Sequence, residues 1–283
     1  MRTKRKARWF VIGSAATAAM ALAVVAPASP ASAQVAGREI VTENTGRTSN
    51  SKSITAECDT GQRVIGATAW MVNAGAEVRI ASVIPRTDYV YASASVDQDG
   101  TAHEWDLYVS AICADPIAGM DIIEQTSTLT SNPDNHIEAE CTGNDKLLGS
   151  GYEMSSGDGA QVGVEQLAVS STETYVYAHE DGDGYSGTWE VTAYAVCAPQ
   201  PAGYEIVEDN GAETSDYVRS FTVRCPTDKE VLGVGGWVHG AAGQVLIEDF
   251  YHDDDEVRVT GFEDDDGMSG QWHVHAYAIC ADE

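Results

Sequence analysis

Positive charge is what this 283-residue chain has least of: 16 lysines and arginines stand against 44 aspartates and glutamates. Five of the 16, Arg2, Lys4, Arg5, Lys6 and Arg8, lie together at the front. Behind them comes a mostly apolar run from Trp9 to Val25, then small residues ending in Ala31-Ser32-Ala33. That order is the pattern of a cleaved export signal, so residues 1–33 are expected to be removed and the rest secreted to the extracellular space. What remains carries 11 minus 44, a formal charge of −33. Such a surface repels phosphate backbones and anionic membranes, which argues against a nucleic-acid partner and against membrane association.

Other absences narrow the chemistry. No later run is long and apolar enough to cross a bilayer, and no cysteine stands at the cleavage site to carry a lipid. There is no Cys-x-x-Cys clamp for zinc. His-Glu-x-x-His, a phosphate loop, a dinucleotide fingerprint and Gly-x-Ser-x-Gly are all missing. No segment keeps a helical period, so helices have nothing to build on.

What the chain has is one statement made three times. Cys58, Cys141 and Cys225 each have a glycine eight residues on: Gly66, Gly149 and Gly233. Each unit closes with Asp-x-Asp-Gly, then a tryptophan (Trp105, Trp189, Trp272), then a second cysteine eight residues later (Cys113, Cys197, Cys280). The opening cysteines are 83 and 84 residues apart, a period suited to small domains. The units run over residues 36–119, 120–203 and 204–283, joined by proline-containing connectors that end in glycine. Six cysteines allow 15 pairings, but the repeat gives every unit its own pair: Cys58 with Cys113, Cys141 with Cys197, Cys225 with Cys280. Export permits such bonds.

Within a unit the hydrophobic period is two. Trp105, Leu107, Val109, Ala111 and Cys113 alternate with Asp106, Tyr108 and Ser110, and the sister units repeat the pattern. This predicts strands with one buried face, about six per unit, and an all-β fold. Three tandem disulfide-stapled antiparallel sandwiches are the expected arrangement, because each unit owns a cysteine pair and a tryptophan. The alternative is one β-prism with pseudo-threefold symmetry.

Cys-x5-[Val/Leu]-[Ile/Leu]-Gly, followed by a tryptophan and Ala-[Ile/Val]-Cys-Ala, resembles a widespread repeat of secreted bacterial proteins. Those repeats read Cys-Pro-x-Gly-x-x-x-Leu-Gly-Gly-Gly and close with Tyr-Ala-x-Cys-Ala. The resemblance covers all three units and implies no particular activity. This chain departs from the glycine triplet at Gly66-Ala67-Thr68, Gly149-Ser150-Gly151 and Gly233-Val234-Gly235, and has Ser110 in place of the closing tyrosine. The opening half also resembles vitelline-membrane outer-layer proteins, a likeness that implies a β-prism.

The candidate metal residues are the paired aspartates Asp97 and Asp99, Asp181 and Asp183, Asp264 and Asp266. Two carboxylates on a hairpin tip suit a hard cation such as Ca²⁺, although one loop supplies only part of its six to eight oxygens. The competing reading is that Asp and Gly simply suit the turn. A second acidic run, His252 to Glu256, should lie at the opposite end of its unit, about eight strand residues away. His273 and His275 share one strand face and would need a third ligand to hold Zn²⁺. No catalytic or cofactor-binding residue is assigned. The expected function is a secreted, non-catalytic, multivalent binding or surface protein, steadied by calcium if the aspartate loops take it, whose ligand is an extracellular glycan or protein. Outward tyrosines Tyr108, Tyr194 and Tyr277 would offer contact surface. The alternative is an extracellular metal-dependent hydrolase in the third unit, where His252, His273 and His275 depart from the repeat.

Overall fold

A computed structural model describes residues 34–98, 100–155, 160–241, 243–264 and 267–283. Among these the protein is all-β, and each unit supplies six strands. The first unit holds β1 (Glu39–Asn44), β2 (Lys52–Glu57), β3 (Arg63–Val72), β4 (Val78–Pro85), β5 (Tyr89–Val96) and β6 (Asp106–Ala114). The second holds β7 (Asp121–Thr126), β8 (Asp134–Glu140), β9 (Lys146–Ser155), β10 (Val162–Val169), β11 (Glu173–Glu180) and β12 (Glu190–Ala198). The third holds β13 (Glu205–Asn210), β14 (Val218–Arg224), β15 (Lys229–His239), β16 (Val245–His252), β17 (Glu256–Glu263) and β18 (His273–Asp282).

The strands form four sheets, and the sheets do not respect the borders of the units. In every unit the first, sixth and third strands pair in one group, and the second, fifth and fourth in another. The β2-β5-β4 group continues into β9-β12-β7 of the next unit, and β8-β11-β10 continues into β15-β18-β13. The seams are short: Ser82 and Val83 pair with Glu153 and Tyr152, and Gln166 and Leu167 pair with Trp237 and Gly236. The remaining groups, β1-β6-β3 and β14-β17-β16, stay three-stranded, and the Met71 amide donates to Asp249 Oδ1 across them at 2.7 Å. Self-contained sandwiches therefore do not describe the molecule. Strands β4, β9, β10 and β15 find sheet partners in a neighbouring unit, and the described residues form one compact body around one core.

The cysteine pairs form as the repeat predicts, with Cα atoms 5.5 to 5.8 Å apart. Trp105, Trp189 and Trp272 are fully buried, and each exchanges bridge bonds with a threonine: Thr48, Thr130 and Thr214. The conserved-spacing glycines have a packing role. Each follows a β-bulge residue, Ile65, Leu148 or Leu232, where the third strand slips against the sixth. A Cβ on Gly66 would sit 2.0 Å from the Leu232 carbonyl oxygen, one on Gly149 2.3 Å from that of Ile65, and one on Gly233 2.3 Å from that of Leu148. The contacts run first unit to third, third to second, second to first, and so close a cycle. A second set follows the same direction: Arg38 Nε donates to the Val231 carbonyl and the Tyr204 hydroxyl to that of Leu147, each at 2.9 Å.

Candidate functional site

The cycle brings the three Asp-x-Asp-Gly loops to one end of the molecule. Their first aspartates are built into turns. The amides of Asp97, Asp181 and Asp264 each donate at 2.9 Å to a carbonyl at the other foot of the hairpin, on Glu77, Gln161 and Gln244. Gly100 and Gly184 adopt φ of 72° and 74°, the left-handed region that favours glycine, and Gly267 adopts 68°. The Gly100 amide donates to Asp97 Oδ1 at 3.2 Å and the Gly184 amide to Asp181 Oδ1 at 3.1 Å. Turn geometry thus accounts for the first aspartate and the glycine of the motif. A cation held by one loop would compete with those amides for the same oxygens. Of the second aspartates, Asp183 accepts from Gln98 Nε2 of the neighbouring loop at 2.9 Å. Asp99 and Asp266 lie outside the described residues.

The loops are tied across units by charge. Asp264 Oδ2 accepts from the Gly182 amide at 2.8 Å, while its Oδ1 lies 3.4 Å from Arg79 Nη2. Arg79 is 2% exposed and pairs through Nη1 with Glu248, itself 1% exposed. Glu165, also buried, receives the Gly243 amide at 3.3 Å. Carboxylates thus outnumber the one arginine in this buried region. Burial pushes the Glu248 carboxyl up to about 8 against the opposing pull of Arg79, and it pushes Asp181 up to about 7, helped by Asp264. Among the described residues, no group of three or more His, Cys, Asp or Glu is set to hold a metal ion.

The sequence reading did not single out Arg79, Glu165 or Glu248. Glu165 and Glu248 are the bulge residues of β10 and β16, where the first unit has Ala81. At the station of Arg79 the sister units carry Gly163 and Leu246. A basic residue where its repeats are apolar was the available signal. Also missed were Glu180 and Glu263, whose Oε1 atoms accept from the indole N–H of Trp189 and Trp272 at 3.1 and 3.0 Å. The first unit has Val96 there, and Trp105 Nε1 has no acceptor. Instead the Lys52 ammonium sits 4.0 Å from the Trp105 ring centre.

These shifts fix the sign of the pH dependence. A carboxyl raised in the fold keeps its proton where the unfolded chain has lost it, so its stabilisation is present at low pH and lost as pH rises towards 8. His252 opposes this at lower pH. Burial depresses it to about 4, so below its usual 6.5 the unfolded chain takes a proton the fold refuses. The two carboxyls outweigh the one histidine, so stability should be highest near pH 4 and decline as pH rises, falling by about 2 kcal/mol between pH 6.5 and 8.5. Urea titrations at several pH values check this, with Glu248→Gln flattening most of the decline. A rise in stability over that interval would contradict the assignment.

The outer faces differ from unit to unit. Tyr108 stays half-buried, stacked on Trp70 at 5.2 Å with Tyr251 edge-on to Trp70, but Tyr194 and Tyr277 are buried and offer little surface. Tyr194 donates to Glu153 Oε2 at 2.9 Å under the Arg86 guanidinium. Arg86 joins two neighbouring grooves. One, of about 350 Å³, is lined by Thr55, Glu57, Ile84, Arg86, Tyr89 and Tyr91. The other, of about 260 Å³, includes Pro85, Met120, Asp121 and Glu124. His273 and His275 face outward on β18, whereas His252 is buried in a different sheet, so these three histidines do not form one constellation. The acidic run beginning at Asp253 caps the far end of β17 from Asp264, as its spacing predicts. No family model matches this chain, and no curated protein matches it significantly.

Proposed function

We propose that the chain is a secreted, non-catalytic binding protein built as a three-sided β-prism, with an extracellular glycan as the favoured ligand and a protein as the alternative. The prism reading is supported by the cyclic glycine contacts and by the two sheets that run on from one unit into the next. The binding reading rests on one observation: the units keep the same buried cysteine pairs and tryptophans while their outward faces diverge. At the stations of Arg86 and Tyr89 the sister units carry Ser170 and Glu173, then Asp253 and Glu256. Three faces of unlike chemistry make the protein multivalent for unlike contacts, a source of avidity when each is weak.

The Arg86 groove suits a sugar best. Tyr89 and Tyr91 offer half-exposed rings for stacking, and Glu57, Thr55 and Arg86 offer the acceptors and donors that fix hydroxyls. A glycan array followed by titration of the retained sugar tests this. Tyr91→Ala and Arg86→Ala should each weaken binding roughly tenfold, the loss of one stacking or charged contact. A retained glycan whose affinity ignores both substitutions would move the site off this groove. Retention of no glycan would leave the protein-ligand alternative.

A further inference from the structure

Five of the seven histidines lie on strands of one sheet, β13-β18-β15-β10-β11-β8: His136, His179, His239, His273 and His275. Two of them meet directly. His239 on β15 is the cross-strand partner of His273 on β18, and their rings lie 5.0 Å apart at 26°. The same register holds Val72 and Asp106 in the first unit and Ser155 and Glu190 in the second. The pair therefore belongs to the third unit alone and is not a product of the repeat. Trp237 packs edge-on against His239 at 4.9 Å, and the Glu213 carboxylate acts on His273 from outside the sheet.

We infer that His239 and His273 form a two-imidazole site for a transition-metal cation of the Zn²⁺ or Cu²⁺ class on the outer face of this sheet. Directly opposed strand positions hold their Cβ atoms about 5 Å apart, which lets two imidazoles reach one ion at bond lengths of about 2.0 to 2.1 Å. The stacked rings must turn edge-on to do so. His239 is exposed and His273 half-buried, so both have room. His275 lies two residues along β18, about 7 Å from His273, and is engaged with Glu208 at 3.6 Å, so it is not the second ligand. Imidazole donors favour borderline metals over Ca²⁺ and Mg²⁺, and the remaining positions fall to water. The surrounding net negative charge draws the cation in.

The test uses the full secreted chain without a histidine tag, titrated with Zn²⁺ by calorimetry and with Cu²⁺ by electron paramagnetic resonance. One ion per chain is expected, with a copper spectrum showing two nitrogen ligands. His239→Ala and His273→Ala should each weaken binding at least about tenfold, as losing one of two ligands does, while His136→Ala on the same sheet should not. Near-UV circular dichroism establishes that each variant is folded. Undiminished binding in the double variant His239→Ala, His273→Ala overturns the site, as does absence of binding to the unaltered chain.

Discussion

Gly149→Ala should destabilise the protein by about 3 kcal/mol or more, and Gly66→Ala and Gly233→Ala should do the same. A methyl group at each position would meet a main-chain carbonyl oxygen of the next unit at 2.0 to 2.3 Å. Overpacking a core commonly costs about 1 to 3 kcal/mol, because side chains shift to make room. Here the obstacle is backbone in the middle of a strand, so relief requires moving a whole strand and the sheet attached to it. For a body of this size the loss corresponds to a fall in melting temperature of about 6 to 12 °C. Thermal unfolding followed by circular dichroism measures it. Tolerance of alanine at any one position, within about half a kcal/mol, would show that the three strands are not held in mutual contact there.

Arg79→Met should be nearly as damaging, for an electrostatic reason. It strands Glu248 in the interior and takes a cation from Asp264. Above pH 8, where the Glu248 carboxyl is ionised, removing one partner of a buried pair typically costs about 3 to 5 kcal/mol, since the surviving charge is left without compensation. Removing both partners is a different matter. The double variant Arg79→Leu, Glu248→Ala carries the residues that the sister units use at these stations, Leu246 and Ala81. It should recover most of the loss, because hydrophobic replacement of a complete buried pair is often neutral. Denaturant unfolding of Arg79→Leu, Glu248→Ala and the double variant gives the coupling energy directly. A double variant no better than Arg79→Met would mean that the arginine is held by packing of its stem and not by its partners.

The parts of this fold that can be read from the sequence are those recorded by period. The cysteine pairs, the buried tryptophans and six strands per unit follow from alternation and from threefold repetition. The turn role of the Asp-x-Asp-Gly loops follows from residue type. Which strand pairs with which neighbour does not, because alternation along one strand reports a buried face without naming the sheet that covers it. The clue lay in β3, β9 and β15. Val64 to Ala69 and Leu147 to Tyr152 are buried without alternation, the mark of strands covered on both sides. Small residues at Gly66-Ala67, Gly149-Ser150 and Gly233-Val234 pointed the same way. Arg79 was illegible for the opposite reason: a lone arginine in a strand reads as an outward residue, yet every residue of β4 is buried. The His239–His273 pair needed the register of two strands, which spacing within either strand cannot supply.

The three seams are alike in position but not in kind. The first two lie between units that follow one another in the chain, while the third, at Met71 and Asp249, joins the first unit to the last and has a single side-chain acceptor where the others have a ladder. The side chain of Gln34 nevertheless reaches the carbonyl of Glu283, so the start of the first unit and the end of the third lie side by side. The third seam lies near the far end of β3 from that meeting of Gln34 and Glu283, since Arg63 pairs with Ala114 at one end and Met71 with Leu107 towards the other. The glycine contacts, by contrast, are alike at all three junctions, so what holds the units to one another is the mutual approach of β3, β9 and β15 more than the seams between sheets.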